Sequence, residues 1–298
     1  MRRVLIIINP NAGKEQIKGK LTDILDAFTK AGYWTEVYVT QRPGDATTIA
    51  RTEGARFERV VCCGGDGTLD ETLNGLMQLP TEKRPELGYI SAGTTNDFAH
   101  SLALPADMKE AAAVAAHGKS FAIDVGKMND TYFSYTVGFG AFTDVSYATR
   151  QDLKKVLGHQ AYIMEGAREI TNLRAHHMVV EANGKTYEGD YLLGMISNSL
   201  RVAGITGVWG EDIDMDDGLF EVNLLRQPGD LVGWGDLITA FFVTHEESEH
   251  ITRLKTDHIT FHSEEPINWV QDGEFGGSMT DVNIEVLLHA LRIIRAEK

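Results

Sequence analysis

The stretch CCGGDGTLDETLNG, which begins at Cys62, combines three glycines and a carboxylate at the point where an apolar segment gives way to a helical pattern. RVVCC is typical of a buried strand, and Leu69, Leu73 and Leu76 have the spacing of one helix face. Glycines let the backbone approach a ligand closely, and the amides at the start of a helix favour an anion. A carboxylate repels a phosphate unless a cation lies between them, so Asp66, which we expect to be exposed, makes this a candidate metal-nucleotide turn. The spacing also fits an ordinary tight turn with a capping Asp66, and both interpretations stay open here.

Two further polar turns follow apolar segments that are typical of buried strands. NPNAG, residues 9–13, comes after RVLIII, and AGTTND, residues 92–97, comes after ELGYIS. Ligands of doubly wound sheets bind beyond the carboxyl ends of the strands. We therefore expect these two turns and the turn at residues 64–68 to converge on one crevice.

Two acidic motifs lie far downstream of these turns. DIDMDDGLF places Asp214 and Asp217 three residues apart, and Mg²⁺ prefers oxygen ligands of this kind. Read by itself, the motif equally fits a solvated acidic loop before a strand. WVQDGEFGG contains Asp272, Gly273 and Glu274, and a carboxylate held within hydrogen-bond reach of an alcohol can act as its general base. The alternative is a β-turn with a solvent-exposed Glu274.

The elements that must position these residues divide the chain into two parts. Strand and helix patterns alternate over residues 1–122, which predicts a doubly wound parallel sheet. From residue 123 to residue 298 a period of two recurs around turn residues, and ANGKT is a hairpin signal. We therefore predict a mostly antiparallel β-sandwich, and we expect its last residues to return to the first domain. Two helical stretches interrupt its strands, one at roughly 147–173 and one near 231–241.

Composition and charge narrow the classes of function. The formal net charge is −15; residues 1–123 hold 14 Lys and Arg against 15 Asp and Glu, and residues 124–298 hold 14 against 28. A nucleic-acid-binding protein normally has a basic face, so we expect no nucleic-acid partner. The longest aliphatic run, residues 4–8, is far shorter than the roughly 20 residues of a membrane span. Two adjacent cysteines and the lack of a signal-peptide pattern favour the cytoplasm.

The order of NPNAGK, GGDGTLDE, AGTTNDFA, DIDMDDGLFEV and DGE resembles the diacylglycerol kinase catalytic family, specifically its soluble bacterial lipid kinases, over essentially the whole chain. GGDGT by itself is shared with NAD kinases and 6-phosphofructokinases, whose fold the first domain should therefore resemble. The resemblance implies ATP as co-substrate, Mg²⁺ bound both with ATP and structurally, Glu274 as the catalytic base and Asp66 as the holder of the catalytic Mg²⁺. Asp97 would join the hydrogen-bond network of that metal.

The same resemblance implies sets of ligand-binding residues. The ATP site would draw on Asn9, Pro10, Asn11, Ala12, Gly13, Thr40, Gly65, Asp66, Gly67, Thr68, Leu69, Asp70, Glu71 and Thr94. For Asn9 and Thr40, turn capping is the alternative. The structural Mg²⁺ would be held by Asp214, Asp217 and the main-chain carbonyl of Leu219.

The function that this resemblance implies is an ATP-dependent lipid kinase that phosphorylates the hydroxyl of diacylglycerol to give phosphatidic acid. Such an enzyme is cytoplasmic and meets the membrane peripherally, and each basic residue near an anionic surface contributes about 1 kcal/mol. Candidate contacts are Lys14, Lys18, Lys20, Arg150, Lys154, Lys155 and Arg168.

Several alternatives stay open. The acceptor could be another lipid alcohol, such as phosphatidylglycerol or a sphingoid base, and more remotely the chain could be an NAD kinase. A catalytically silent nucleotide-binding regulator would be expected to lack Asp66, Asp217 or Glu274, and all three are present. A homodimer also stays open.

Overall fold

A computed structural model describes residues 2–12, 16–93, 96–140, 167–168, 170–198, 201–202, 205–206, 214–244 and 246–297. The α-helices of these residues are α1 Gln16–Lys30, α2 Asp45–Glu53, α3 Asp66–Met77, α4 Asp97–Ser101, α5 Met108–His117 and α6 Leu231–Thr239. The strands are β1 Arg2–Ile8, β2 Tyr33–Val39, β3 Arg59–Gly64, β4 Glu86–Ser91, β5 Lys119–Met128, β6 Thr131–Phe133, β7 Thr136–Phe139, β8 His176–Ala182, β9 Lys185–Ser197, β10 Arg201–Val202, β11 Ile205–Thr206, β12 Phe220–Arg226, β13 Ile251–Thr256, β14 His258–Gln271 and β15 Glu274–Arg295.

The first part of the chain forms the predicted parallel sheet, in the strand order β2-β1-β3-β4. The side chains of strand β1 show why this parallel sheet forms. Leu5 and Ile7 pack into the apolar cluster on one face, and Val4, Ile6 and Ile8 pack into the cluster on the other. Helices cover both faces of a parallel sheet, so its strands are apolar throughout rather than alternating. The alternation of strands and helices that the sequence predicts is confirmed.

The second part is a mostly antiparallel β-structure, also as predicted. Strands β13, β12, β9, β7, β14 and β15 follow one another in the sheet. The predicted hairpin joins β8 to β9, where Asn183 and Gly184 have φ angles of 52° and 69°. Two successive positive φ angles are what a type I′ turn requires, and Asn-Gly supplies them with little strain.

The last strand joins the two parts. Strand β15 runs antiparallel to β14 and β5, and near its end Ile293 pairs in parallel with Leu87 of β4. The β14–β15 hairpin therefore carries Glu274 at one end of a strand whose other end is fixed in the N-terminal sheet. This connection sets the position of the hairpin relative to the glycine turn.

Two predicted elements differ in detail from the structure, and a third lies mostly outside the described residues. The sequence predicts a turn over residues 64–68, but β3 continues through Gly64 and α3 begins at Asp66, so only Gly65 lies between them. The helix predicted near 231–241 is α6, and a π-helical segment at Ala240–Thr244 follows it. Most of the helical stretch predicted at 147–173 lies outside the described residues; residues 167–168 and 170–172 are helical. No helix in the described part of the chain is long and apolar enough to cross a membrane.

Candidate active site

Hydrogen bonds tie the three polar turns together. Asn9 Nδ2 donates to Thr68 Oγ1 at 3.0 Å, which joins the first turn to the second. The Ala92 amide donates to the Gly64 carbonyl at 2.8 Å, and the Asn96 amide donates to Asp66 Oδ2 at 3.0 Å, which joins the second turn to the third. The three turns therefore form one continuous rim at the carboxyl ends of β1, β3 and β4.

The three glycines of the second turn are explained by close approach. A Cβ on Gly64 would lie 2.6 Å from the side chain of Thr68, and a Cβ on Gly65 would lie 3.4 Å from the Cα of Gly93. A Cβ on Gly67 would lie 3.3 Å from Oε1 of Glu274. None of the three has a positive φ angle. The second turn is thus in close contact with the third turn on one side and with the β14–β15 hairpin on the other.

Asp66 is partly buried, which contradicts the expectation of an exposed carboxylate. It accepts hydrogen bonds from the Asn96 amide and, at 3.4 Å, from the Tyr89 hydroxyl. The pKa of Asp66 is raised from 3.8 to about 6, mainly by burial and to a smaller extent by the negative charge of Asp97. Asp97 itself is buried, with 1% of its surface exposed. Asp66 is therefore a carboxylate that a nearby cation would stabilise in its charged form.

Asp70 and Glu71 follow on the first turns of α3 but face different surroundings. Burial raises the pKa of Asp70 to about 8, and the charges of Asp272 and Glu274 add to this rise. The raised pKa favours the neutral form of Asp70, which reduces the negative charge beside Glu274. Glu71 accepts hydrogen bonds from the amides of Gly44 and Ala46 at 2.8 and 3.1 Å. These hydrogen bonds fix the start of α2, so the position of Glu71 is explained without a bound ligand.

The remaining residues expected to bind ATP lie along the same rim. Asn9 Oδ1 accepts from the Asn11 amide at 3.0 Å, and the Asn9 carbonyl accepts from the Ala12 amide at 3.3 Å, so this turn is closed around Pro10. Thr40 follows β2, and its hydroxyl donates to the Ile8 carbonyl at 3.3 Å. The side chain of Leu69 is fully buried in the core, which leaves only its backbone for a ligand. Two further expected residues, Gly13 and Thr94, lie outside the described residues.

The turn before Glu274 is held by Asp272, whose side chain is buried. Its carboxylate accepts from the Ser134 amide at 2.5 Å, from the Ser134 hydroxyl at 2.7 Å, and from the amides of Tyr135 and Thr136 at 3.0 Å each. Burial raises the pKa of Asp272, and these hydrogen bonds oppose the rise. Asp272 and Gly273 have φ angles of 48° and 86°. Four donors to one carboxylate fix this left-handed turn, and the turn presents Glu274 to Gly67.

The acidic loop that contains Asp214 and Asp217 lies against β5 and β15. The buried carboxylate of Asp124, in β5, accepts from the Gly218 amide at 2.7 Å and from the His289 amide at 2.7 Å. A hydrogen bond with Asp214 raises the pKa of Asp216, so these two exposed carboxyl groups lie close together. Such crowding is what a cation relieves, and the oxygen-only donors of the loop suit Mg²⁺.

Other contacts of this loop involve Asp217. Its Oδ1 accepts from the Leu219 amide at 3.0 Å, and its Oδ2 lies 3.9 Å from Nζ of Lys255, which is also 2.9 Å from Glu221. Across the described ranges, no three His, Cys, Asp or Glu side chains are grouped so that they alone could hold a metal ion. A metal here would therefore need the Leu219 carbonyl, which the resemblance implies, or ligands from ATP or water.

Several residues of the site were missed in the sequence. Ser134 and Thr136, the donors to Asp272, occur in a plain polar stretch that carries no motif. Tyr89 lies within the apolar strand β4 and looks like an ordinary core residue. The role of Asp124 could have been inferred from the sequence, because a lone carboxylate inside the strand pattern FAIDVG is expected to be buried and to need hydrogen-bond donors.

Comparisons with known proteins agree over the whole chain. Residues 3–128 match the model of the diacylglycerol kinase catalytic domain, and residues 136–295 match that of the YegS C-terminal NAD kinase beta sandwich-like domain. A diacylglycerol kinase of Bacillus subtilis (strain 168) is 33% identical over 100% of this chain and 98% of that protein. A diacylglycerol kinase of Staphylococcus aureus is 35% identical over 93% of this chain and 88% of that protein. The crystal structure of a putative diacylglycerol kinase from Bacillus anthracis covers 99% of this chain and 97% of its own, with 26% identity and a TM-score of 0.83.

Proposed function

This chain belongs to the diacylglycerol kinase catalytic domain family, and from that premise we propose that it transfers the γ-phosphoryl group of ATP to the hydroxyl of diacylglycerol, giving phosphatidic acid. The observation that carries the proposal is the closeness of Glu274 to Gly67. It brings a carboxylate from the end of the chain to the first turn of α3. A phosphate at the start of that helix is favoured by the helix dipole and the free amides. A base and a phosphate site are therefore adjacent.

In the proposed reaction, the turns at residues 9–12 and 65–68 hold the phosphates of ATP. Glu274 accepts the proton of the lipid hydroxyl while the hydroxyl oxygen forms a bond to the γ-phosphorus. The bond between the γ-phosphorus and the bridging oxygen breaks, and ADP leaves with both electrons of that bond. Catalysis of this kind consists mostly of positioning and charge neutralisation. A positioned base typically contributes about 10²–10⁴ in rate.

Magnesium has two proposed places. Mg²⁺ that arrives with ATP would be held by Asp66, with Asp97 beside it, and would neutralise charge on the phosphate oxygens. A second Mg²⁺ would be held by Asp214, Asp217 and the Leu219 carbonyl. Asp124 accepts hydrogen bonds from the amides of Gly218 in the loop and His289 in β15. These two hydrogen bonds connect the loop to the strand that starts at Glu274, which supports a structural role for the second ion.

We also propose that the protein meets the membrane peripherally to reach its lipid substrate. Of the basic residues named as candidate contacts, Lys18, Lys20 and Arg168 are exposed. Lys14, Arg150, Lys154 and Lys155 lie outside the described residues. The division that we propose places the nucleotide-binding domain at residues 1–122 and the β-domain at residues 123–298, with the end of β15 returning to the first.

The test is transfer of label from [γ-³²P]ATP to a panel of alcohols in detergent micelles. The panel contains dioleoylglycerol, phosphatidylglycerol, sphingosine and NAD. We expect label in phosphatidic acid at a rate at least tenfold above that for any other acceptor. Preferential labelling of another acceptor would replace diacylglycerol by that alcohol. If the chain binds ATP but labels none of the four, it is a nucleotide-binding regulator and the proposal is wrong.

A further inference from the structure

Phe275, the residue after Glu274, has no part in the chemistry described so far. Its side chain is 70% exposed, whereas Phe261 and Trp269 of the same hairpin are 2% and 1% exposed. Trp34, on the outermost strand β2, is the one other Phe or Trp with a large exposed surface in the described part of the chain. An aromatic side chain in water loses the favourable free energy of burial. Its position beside the proposed base calls for an explanation.

The backbone around Phe275 holds the side chain outside the core. Val270 of β14 pairs with Phe275, but Trp269 pairs with Gly277, so Gly276 is an extra residue in β15. Gly277 has a φ angle of 119°, and a Cβ on Gly276 would lie 3.1 Å from Cε of Met128. This β-bulge interrupts the alternation of the strand immediately after Phe275. Bulges next to active sites commonly re-aim a side chain.

The charges around the hairpin decide what kind of surface Phe275 can meet. Two carboxylates meet at this part of the rim, because Asp66 directly precedes Gly67 and a Cβ on Gly67 would lie 3.3 Å from Oε1 of Glu274, so this part of the rim is negative. An anionic membrane surface is therefore not attracted to this part of the rim. Diacylglycerol is uncharged and carries two acyl chains. Apolar contact is the interaction that remains to hold it here.

We propose that Phe275 contacts the acyl chains of diacylglycerol close to the glycerol and thereby holds the lipid with its hydroxyl at Glu274. The proposal rests on the proposed function. Glu274 and Phe275 are the first two residues of β15, and successive side chains of a strand point to opposite faces, so one lipid molecule must lie across this end of the hairpin to reach both side chains. Phe275 is thus a residue that determines lipid affinity and chain-length preference, while Glu274 acts on the proton.

The experiment compares Phe275→Ser with the wild type, with Phe275→Leu as the conservative variant and Trp34→Ser as the control for loss of an exposed aromatic side chain. In mixed micelles with dioctanoylglycerol, we expect Phe275→Ser to raise the KM for the lipid about tenfold. The other two variants should stay within about twofold. The KM for ATP should not change. With dibutyrylglycerol, whose chains offer less apolar surface, the difference between Phe275→Ser and the wild type should shrink to about twofold.

A second measurement needs no turnover. Flotation with neutral phosphatidylcholine vesicles that contain dioleoylglycerol should recover less of Phe275→Ser than of the wild type or Trp34→Ser. An active Phe275→Ser enzyme with an unchanged lipid KM, or a KM that rises equally for both chain lengths, overturns the role of Phe275. A wild type that binds the vesicles through Phe275 but does not phosphorylate diacylglycerol supports the contact and contradicts the proposed function. The two failures are therefore distinguishable.

Discussion

Replacing Asp66 by Asn tests whether this carboxylate is placed for a cation or caps α3. Burial and the charge of Asp97 raise the pKa of Asp66 from 3.8 to about 6 in the protein without metal. A raised pKa in the folded state means that the contribution of Asp66 to stability is present below about pH 4 and is lost as the pH rises through about 6. The full shift corresponds to about 3 kcal/mol, and partial exposure to solvent reduces this to about 1–1.5 kcal/mol.

The Asn variant should therefore be more stable than the wild type at pH 8. Asn keeps an oxygen that can accept from the Asn96 amide, and it removes the charge. It also loses the attraction between a carboxylate and the start of α3, which is worth about 0.3–1 kcal/mol. The net gain in unfolding free energy is then up to about 1 kcal/mol at pH 8, or about 2 °C in Tm. Below pH 4, where Asp66 is protonated, the gain should vanish.

The assay is thermal unfolding in EDTA at pH 8 and at pH 4, paired with kinetics at saturating lipid. Asp45→Asn is the matched control, because Asp45 is also the first residue of a helix, but hydrogen bonds, the largest from the Gln41 amide, lower its pKa. Its stabilising effect is present at high pH and lost as the pH falls, so Asp45→Asn should melt below the wild type at pH 8. Asp66→Asn should lose about 10²-fold or more in kcat/KM for Mg·ATP, and Asp45→Asn should not. If Asp66→Asn also melts below the wild type at pH 8 and retains its activity, Asp66 is only a helix cap.

Three further substitutions test the supports of the site. Asp272→Ala leaves the donors of the turn buried without an acceptor and should lower the unfolding free energy by about 3–5 kcal/mol in denaturant melts; a loss under 1 kcal/mol would contradict this reasoning. Asp217→Ala should abolish the binding of Mg²⁺ measured by calorimetry without nucleotide, whereas Asp216→Ala should preserve it; equal effects would indicate a solvated acidic loop. Gly67→Ala places a Cβ 3.3 Å from Glu274 and should lower kcat about tenfold with an unchanged or higher Tm, since Ala is the better helix former; an unchanged kcat would show that Glu274 moves freely.

The sequence predicts the elements of this fold because their signals are local. Strands β1 and β3 are apolar runs that end at polar turns, and the Asn183–Gly184 hairpin follows from the φ angles that its turn requires. Each of these features can be inferred from fewer than ten consecutive residues. The fold class and the family were for this reason within reach of the sequence alone.

The arrangement of the site was not within reach, because its contacts join distant parts of the chain. The glycine turn suggested close approach of a ligand, but at Gly67 the group that approaches is Glu274 of the last strand. Likewise, Asp272 looked like a turn residue, and its buried state depends on donors from Ser134 and Thr136. Asp66 was expected to be exposed because nothing near it in the sequence indicates that Tyr89 covers it. Burial of a polar side chain depends on packing between elements, which periodicity does not report.

The central claim is that Glu274 takes the proton from the lipid hydroxyl. The most direct measurement is the single-turnover rate of phosphatidic acid formation from [γ-³²P]ATP and dioleoylglycerol by the wild type and by Glu274→Gln, with ATP affinity measured on the same samples. Gln has nearly the same shape as Glu but cannot accept the proton. We predict a rate lowered by about 10²–10⁴ with ATP affinity unchanged within a few-fold. A Gln variant that forms phosphatidic acid at a rate near that of the wild type would contradict the account.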